Sequence, residues 1–202
     1  MYRIKAVAIL LLMLLALCGF SQSTGTGQWR IHLPYKNTRG IAETPRYVYT
    51  WTNFGFYRYD KEVNASERLS KIQGFSDIAV SYIKYNPAND VLVIAYQDGN
   101  IDIVQDNTII NINDLQRASI NGFKDAQNIL FRDNFAYLAC TFGIVKLDVE
   151  RIEITATYDE LSLGDINDLA FWRDSLYIAT SQGIYAGSEL TNLSDSQFWE
   201  KF

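Results

Sequence analysis

The scarcity of histidine and cysteine sets the first limit on the chemistry available to this chain of 202 residues. A Ser-His-Asp or Cys-His nucleophilic centre would have to use His32, the single histidine, which is flanked by Ile31 and Leu33. With two cysteines in the whole chain, a Cys/His zinc site of about four ligands is disfavoured as well. We therefore expect His32 to have a structural or surface role.

Carboxylates are a second source of catalytic groups, because a pair of them can hydrolyse a glycosidic bond. The acidic residues near predicted turns are Asp77, Asp98, Asp102, Asp148, Asp159, Glu160, Asp165 and Asp168. Hydrogen bonds within turns account for most of them. The segment from Asp98 to Asp102 is similar to a calcium loop, but it lacks the spaced ligands and final Glu of an EF-hand, so we expect a turn. The sequence assigns no catalytic, cofactor-binding or metal-ligating residue, and we do not expect an enzyme.

The charge balance bears on the partners. The chain has 18 basic and 23 acidic residues, a net charge of −5 and a pI of about 4.9. Proteins that bind nucleic acid usually carry a basic stripe, so a nucleic-acid partner is not expected. A hydrophobic share of 48% is too high for wholesale disorder.

Residues 1–21 have the pattern of a secretory signal peptide. Two basic residues precede an apolar run at 7–17, and Gly19-Phe20-Ser21 supplies small residues at the cleavage positions. The apolar run is shorter than the roughly 20 residues of a transmembrane helix. We therefore predict an exported protein, at the cell surface, the outer membrane or in the periplasm, whose mature domain spans residues 22–202.

The two cysteines bear on lipidation and on disulfide formation in the exported protein. Leu15-Ala16-Leu17-Cys18 resembles a bacterial lipobox, but Leu17 stands where such motifs have a small residue, so lipidation of Cys18 is the less favoured alternative. If Cys18 is removed with the signal peptide, Cys140 has no partner for an internal disulfide. Cys140 lies in an apolar, strand-like run, and we expect it to pack as a small hydrophobe in the core.

Four glycines mark an internal repeat. They are Gly55, Gly99, Gly143 and Gly183, at spacings of 44, 44 and 40 residues. Each glycine follows one strand-like run and precedes another, and clusters of Asn, Asp, Pro and Ser separate the strands upstream. Four short antiparallel strands in 40–44 residues are typical of a β-propeller blade. The glycine would allow positive φ in the hairpin between the second and third strands.

We therefore predict an all-β fold, a β-propeller with about four four-stranded blades, in which the aromatic residues fill the wedges between blades. A β-sandwich also has short strands and regular turns, but it does not require the same unit four times in sequence. The last unit stops soon after Gly183, and residues 198–202 have no clear partner as a fourth strand. An unpaired edge is a liability in water, so we expect a partial, incomplete propeller.

Several segments resemble the N-terminal β-propeller domain of the PorZ family, a component of the type IX secretion system of Bacteroidetes. They are Trp29-Arg30-Ile31-His32-Leu33-Pro34-Tyr35, Tyr85-Asn86-Pro87, Leu92-Val93-Ile94-Ala95-Tyr96 and Asp98-Gly99-Asn100-Ile101-Asp102. The resemblance covers about residues 28–190. It implies a non-catalytic scaffold at the cell surface. Such a scaffold works beside a sortase of the cysteine-peptidase type and other outer-membrane components, where secreted cargo is joined to anionic lipopolysaccharide.

A second function stays open at this point. Signals such as Gly183-Ile184-Tyr185 are shared with the broader propeller repeats of two-component regulators. The alternative is therefore a periplasmic propeller that senses an oligosaccharide for a hybrid two-component regulator. That protein would need a transmembrane helix and a kinase downstream, so the adjoining DNA sequence would separate the two hypotheses.

Overall fold

The computed structural model describes residues 35–159 and 161–202. These residues form four sheets, each of four antiparallel strands that follow one another in the chain. We call the sheets blades 1 to 4, in chain order. Several sequence predictions fall outside the described residues: the signal peptide at 1–21, Cys18, His32 and Glu160.

The strands are short and similar in length from blade to blade. Blade 1 contains β1 (Gly40–Glu43), β2 (Tyr47–Thr52), β3 (Gly55–Asp60) and β4 (Ala65–Leu69). Blade 2 contains β5 (Val80–Asn86), β6 (Val91–Tyr96), β7 (Ile101–Gln105) and β8 (Thr108–Ile112). Blade 3 contains β9 (Ala126–Arg132), β10 (Phe135–Cys140), β11 (Gly143–Asp148) and β12 (Glu153–Tyr158). Blade 4 contains β13 (Ile166–Trp172), β14 (Ser175–Thr180), β15 (Gly183–Ser188) and β16 (Trp199–Lys201).

Helical structure in the described residues is confined to single turns between strands. The α-helix α1 spans Asp114–Arg117, and two 3-10 segments span Lys71–Gln73 and Ser196–Phe198. Both 3-10 segments are capped in the usual way, because the preceding Ser70 and Asp195 accept backbone N–H bonds with their side chains. None of the described helices has the length and apolar character needed to cross a membrane.

The blades are arranged so that their first strands are neighbours. β1 contacts β5, β5 contacts β9 and β9 contacts β13. In the part of the chain that the structure describes, β13 and β1 share no contact of comparable extent. Blades that succeed one another around an axis lined by their first strands are the architecture of a β-propeller. The predicted fold class, four four-stranded blades of a propeller, is confirmed.

Side chains alternate between the two faces of each blade, as the pleat of a strand requires. In β10, Tyr137 and Ala139 pack toward blade 4, whereas Leu138 and Cys140 pack toward blade 2. We call the face toward the following blade the onward face, and the opposite one the receiving face. Three apolar clusters fill the junctions between blades 1 and 2, 2 and 3, and 3 and 4. The fold is therefore held together between sheets, where one onward face meets the next receiving face.

The end of blade 4 corrects one expectation. Residues 199–201 form β16, which pairs with β15 through Gly187 and Trp199, so the prediction that this segment lacks a strand partner is wrong. Trp199 is buried, and its indole N–H donates to the Leu193 carbonyl oxygen at 3.0 Å. A buried tryptophan with a satisfied N–H fixes a strand of three residues. The loop before it is longer than in the other blades and hides the pattern in the sequence.

The repeated glycines adopt positive φ in three of the four copies. φ is 86° at Gly99, 158° at Gly143 and 134° at Gly183, but Gly55 is not among the positive-φ residues. The prediction is confirmed for the later copies and wrong for the first. At Gly143 the close approach of the backbone matters most, because a Cβ there would lie 2.0 Å from the carbonyl oxygen of Tyr158. Only glycine fits that position without a shift of the backbone.

Candidate functional site

Several of the acidic residues singled out in the sequence accept hydrogen bonds through their side chains, and Asp102 is the most completely bonded of them. Asp102 is fully buried in β7. Its carboxylate accepts hydrogen bonds from the Ser76 backbone N–H at 2.8 Å, the Ser76 hydroxyl at 2.5 Å, the Tyr96 hydroxyl at 2.7 Å and the Asn111 amide at 2.9 Å. Four donors from three segments of the chain use the oxygens of this carboxylate. Asp102 therefore fastens the outer part of blade 2.

Other acidic residues accept hydrogen bonds in turns and near the starts of strands. Asp98 accepts the N–H of Asn100 at 3.0 Å, so the turn predicted from Asp98 to Asp102 is present at its start, but β7 begins at Ile101 and Asp102 lies in that strand. Asp148 accepts the N–H groups of Glu150 and Arg151 in the β11–β12 turn. Asp168 accepts from its neighbour Leu169 and from the Asn128 side chain of blade 3. The described residues hold no group of three or more His, Cys, Asp or Glu side chains that could hold a metal ion.

Cys140 lies in the core between blades 2 and 3. It is completely buried, in the cluster that includes Leu138 and Val145. Burial raises the pKa of its thiol, so the reactive thiolate is disfavoured. The prediction that Cys140 packs as a small hydrophobe is confirmed.

A cleft of about 520 Å³ lies between blades 1 and 2 and offers a site for a ligand. Strand β2 contributes Tyr47 and Tyr49, β3 contributes Arg58, and β5 contributes Tyr85. We call it the blade 1–2 cleft. Its remaining walls are formed by Thr44, Pro45, Arg46, Gln73, Phe75, Asp90, Leu92, Val104, Gln105, Asp106, Asn107 and Ile109.

At the junction of blades 3 and 4, the side chains at the equivalent strand positions pack against each other. Sheet register makes Tyr49 the equivalent of Tyr137, and Tyr85 the equivalent of Phe171. In the later junction the rings of Tyr137 and Phe171 pack edge to face at 4.9 Å between centroids. At the first junction Tyr49 and Tyr85 instead line the cleft. The cleft therefore replaces a packed aromatic pair of the repeat.

Two guanidinium groups contact one aromatic ring of the cleft. The guanidinium carbons of Arg58 and Arg46 lie 4.2 Å and 5.1 Å from the centroid of the Tyr47 ring, within the range of cation–π contacts. Arg58 also pairs with Glu67 at 2.8 Å. Arg46 pairs with Asp60 at 2.8 Å, and this hydrogen bond lowers the pKa of the Asp60 carboxyl. The cations are thus held in place while their aromatic partner stays half-exposed.

The hydroxyls of Tyr49 and Tyr85 in the cleft are neutral at ordinary pH. Tyr85 donates a hydrogen bond to Asp90 at 2.7 Å, and desolvation together with this bond raises the pKa of Tyr85 to about 12. Burial also raises the pKa of Tyr49. Aromatic faces, neutral hydroxyls and guanidinium groups in one cleft are suited to hold a polyhydroxylated ligand that bears an anionic group. These side chains can bind and orient a ligand.

Sequence reasoning did not find the blade 1–2 cleft. The sequence predicts that its tyrosines fill the wedges between blades, which is correct for their equivalents in blade 3. No motif joins Arg46, Arg58 and Tyr85, because they come together through pairing of strands from two sheets. The one usable signal in the sequence is the hydroxyl at position 85, where the later blades carry Phe131 and Phe171.

Comparison with known proteins gives a match to the same family from a family model and from a solved structure. A family model described as the PorZ N-terminal β-propeller domain of the type IX secretion system matches residues 48–200. The solved structure of PorZ, an essential bacterial surface component of that system in Porphyromonas gingivalis, is 32% identical, with a TM-score of 0.72. The match covers 82% of this chain and 22% of PorZ, so the chain spans about a fifth of that protein.

Two further structures share the fold. The computationally designed Ika4 protein matches with a TM-score of 0.57 at 13% identity, over 80% of this chain and 98% of Ika4. The extracellular domain of a protein described as a hybrid two-component system of B. thetaiotaomicron matches with a TM-score of 0.66 at 12% identity. That match covers 86% of this chain and 23% of the other. A search of curated proteins found no match.

Proposed function

Because the chain belongs to the family of PorZ N-terminal β-propeller domains, we propose that it is a non-catalytic scaffold and binding module of a type IX secretion system. One observation carries the proposal. The identity of 32% to PorZ extends over 82% of this chain, well beyond what a shared propeller fold requires. The designed Ika4 protein has the same fold at 13% identity.

The proposed partners are the sortase and the outer-membrane components of the attachment complex. A pull-down with the tagged protein from its native organism, after mild cross-linking, tests this. We expect the sortase and outer-membrane components to be enriched over a tagged, unrelated exported protein. Recovery of neither would contradict the proposal, whatever the protein binds as a ligand.

The proposed ligand is anionic lipopolysaccharide, bound in the blade 1–2 cleft. Sugar rings stack on exposed aromatic faces, and guanidinium groups pair with phosphate or carboxylate groups. Tyr47 with Arg46 and Arg58 supplies both kinds of contact in one place. The cleft volume of about 520 Å³ would take a short oligosaccharide segment, since ligand pockets commonly measure roughly 300–1,000 Å³.

A binding measurement with purified lipopolysaccharide tests the cleft. Tyr47→Ala should weaken binding roughly 3- to 30-fold, the equivalent of about 0.7–2 kcal/mol for a lost stacking and cation–π site. Tyr177→Ala is the matched control, because Tyr177 is a half-buried tyrosine of blade 4 outside the cleft. Equal binding by the two variants would show that the ligand does not use this cleft.

The proposed location is the cell surface, reached by cleavage of the signal peptide without lipidation. Intact-mass measurement of the mature protein tests this part. We expect a chain that begins at Gln22 and carries no acyl group. A mass corresponding to an acylated N-terminal Cys18 would replace this proposal with a lipoprotein anchor.

The resemblance to the extracellular domain of a two-component system does not carry a second function. At 12% identity it reflects the propeller fold, which serves many kinds of binding protein.

A further inference from the structure

A second cavity, of about 500 Å³, lies at the junction of blades 2 and 3. Blade 2 lines it with Ala88, Asn89, Val91 and Gln105, and blade 3 lines it with Asp133, Asn134, Val149 and Glu150. We call it the blade 2–3 pocket. It lies between two sheets that each have a packed neighbour on both sides, so both of its walls are complete.

Short side chains leave this junction open where the next junction is filled. In the register of the strands, Val91 stands where blade 3 has Phe135. Asn86 likewise stands where blade 3 has Arg132. At the junction of blades 3 and 4 Phe135 packs in the apolar cluster, and Arg132 reaches across to pair with Glu189 at 2.5 Å. The shorter pair in blade 2 does not span its junction in this way, and a cavity remains.

A chain of side-chain hydrogen bonds runs along the pocket from blade 2 to blade 3. The Asn86 amide donates to the Asn89 side-chain oxygen at 3.1 Å, and Asn89 donates to the Asn134 side-chain oxygen at 3.0 Å. Asn134 in turn donates to the Glu150 carboxylate at 2.6 Å. The Asn89 and Asn134 amides each spend one N–H and one lone pair on this chain. Each amide therefore keeps a second N–H and a second lone pair for a ligand.

Amides that are held in this way are suited to bind sugar hydroxyls. A hydroxyl both donates and accepts, and an amide offers one group of each kind in a single plane. The eight lining residues include the carboxylates of Asp133 and Glu150 and no basic group, so an anionic group is disfavoured here. The blade 1–2 cleft differs, because two guanidinium groups line it. The blade 2–3 pocket therefore favours an uncharged, hydroxyl-rich part of a ligand.

The blade 2–3 pocket adjoins the blade 1–2 cleft. Gln105 lines both cavities, and its amide donates to the Asn89 backbone carbonyl oxygen at 3.5 Å. The β5–β6 turn stands between the cavities, with Asp90 lining the cleft and Asn89 lining the pocket. Neighbouring Cα atoms are only about 3.8 Å apart. The two cavities are thus separated by the width of one turn, which a chain of sugars can cross.

We propose that the blade 2–3 pocket is a second carbohydrate subsite, which binds an uncharged stretch of the sugar chain whose anionic group lies in the blade 1–2 cleft. The proposal rests on the proposed carbohydrate ligand of the cleft. The two subsites recognise different groups, so they fix the direction of the bound chain. The protein should therefore bind a sugar polymer more tightly than a single charged sugar.

Two variants close the pocket by different means. Ala88→Trp places a large ring at the mouth of the pocket, and it leaves the backbone N–H bond from residue 88 to Asn86 in place, because Ala88 is exposed in the β5–β6 turn. Asn134→Leu removes the amide at the centre of the hydrogen-bonded chain and keeps a similar volume. Binding to purified lipopolysaccharide is measured for both variants.

Each variant has a matched control. Ala118→Trp adds the same ring at an exposed alanine that lines neither cavity. Asn128→Leu removes another amide that donates to a neighbouring blade, through Asp168, and it too lies outside both cavities. A second probe, glucose 1-phosphate, carries one sugar ring and one phosphate. It is small enough to occupy the blade 1–2 cleft alone.

The expected pattern separates the two subsites. Ala88→Trp and Asn134→Leu should each weaken lipopolysaccharide binding roughly 3- to 10-fold, the loss that one or two hydrogen bonds would cause. Both controls should stay within about twofold of the unmodified protein. Glucose 1-phosphate should bind the two pocket variants as it binds the unmodified protein, and only Tyr47→Ala should weaken it. Retained binding of this probe also shows that the pocket variants are folded.

Three results would overturn the proposal. If lipopolysaccharide binds both pocket variants normally but binds Tyr47→Ala weakly, the cleft is the whole site and its proposed ligand stands. If the pocket variants lose glucose 1-phosphate as strongly as lipopolysaccharide, the substitutions act on the cleft and the pocket has no ligand of its own. If the unmodified protein binds no lipopolysaccharide, the proposed ligand and the second subsite are both contradicted.

Discussion

Blades 3 and 4 carry the same residues on their onward faces in very different surroundings. Tyr137, Ala139 and Ile144 of blade 3 are all buried against blade 4. Their equivalents Tyr177, Ala179 and Ile184 have identical side chains, but they are half-buried or exposed. The repeat in the sequence therefore specifies the conformation of a blade. The contribution of each residue to stability depends on whether a neighbouring sheet is present.

We expect the largest difference in stability between blades 3 and 4 when the equivalent residues Ile144 and Ile184 are substituted. Ile144→Ala should lower the free energy of unfolding by about 2–5 kcal/mol, because it removes buried methyl groups and leaves a cavity between blades 3 and 4. Ile184→Ala should change it by no more than about 0.5 kcal/mol, because half of that side chain already contacts water. Urea unfolding of both variants gives the comparison. Equal losses would mean that the face of blade 4 is covered in solution.

Gly143 and Gly183, the equivalent hairpin glycines of blades 3 and 4, also differ in their surroundings. Gly143→Ala should cost at least about 2 kcal/mol, since its Cβ would collide with the Tyr158 carbonyl oxygen and the backbone would have to move. Gly183→Ala should cost less, because the nearest atom is the Lys201 Cε at 3.1 Å, in a flexible and exposed side chain. Thermal unfolding of the two variants ranks them. A larger loss at Gly183 would show that positive φ, not crowding, selects glycine here.

The regular parts of the fold were predictable because they depend on local patterns. The clusters of Asn, Asp, Pro and Ser that are predicted to separate strands lie at the turns of Asp90, Asp133 and Arg173. Each of these three turn residues has a positive φ near 50°. Alternation and turn chemistry are properties of neighbouring residues, so one sequence is enough to detect them.

The site and the last strand were not predictable for a different reason. Asp102 looks like a turn residue, but its donors Ser76 and Asn111 lie 26 and 9 positions away in the chain. The blade 1–2 cleft depends on which tyrosines find a partner in the next sheet. β16 is fixed by the indole bond of Trp199 across an irregular loop. Such features arise from tertiary contacts, and a repeat pattern does not contain them.

Tyr137 and Tyr177 are the equivalent tyrosines of the onward faces of blades 3 and 4, and their substitution should show a smaller difference in unfolding free energy. Tyr137 donates its hydroxyl hydrogen to Glu189 at 2.8 Å, and Arg132 pairs with the other oxygen of that carboxylate at 2.5 Å. Tyr137→Phe should therefore cost about 1.5 kcal/mol, as for a hydrogen bond to a charged group. Tyr177→Phe should be within about 0.5 kcal/mol of the unmodified protein. Denaturant unfolding at pH 7 separates them, and a neutral Tyr137→Phe would mean that Arg132 alone satisfies Glu189.

The smallest effect concerns the position that distinguishes the blade 1–2 cleft from the later junctions. Tyr85→Phe installs the residue type of Phe131 and Phe171, and at pH 7 it should cost less than about 1 kcal/mol, since it removes one hydrogen bond at a partly exposed site. The pH dependence is the sharper readout. The folded pKa of Tyr85, about 12, lies above its unfolded value of 10.0.

A raised folded pKa means that the folded state keeps the proton longer than the unfolded state does. The stabilising contribution of Tyr85 is therefore fully present below pH 10 and is lost as the pH rises from 10 toward 12. Across that interval the unmodified protein should lose more stability than Tyr85→Phe, so the two unfolding free energies converge or cross. Parallel losses would mean that the Tyr85–Asp90 bond does not hold the proton in solution. Tyr85 would then be a free hydroxyl in the cleft.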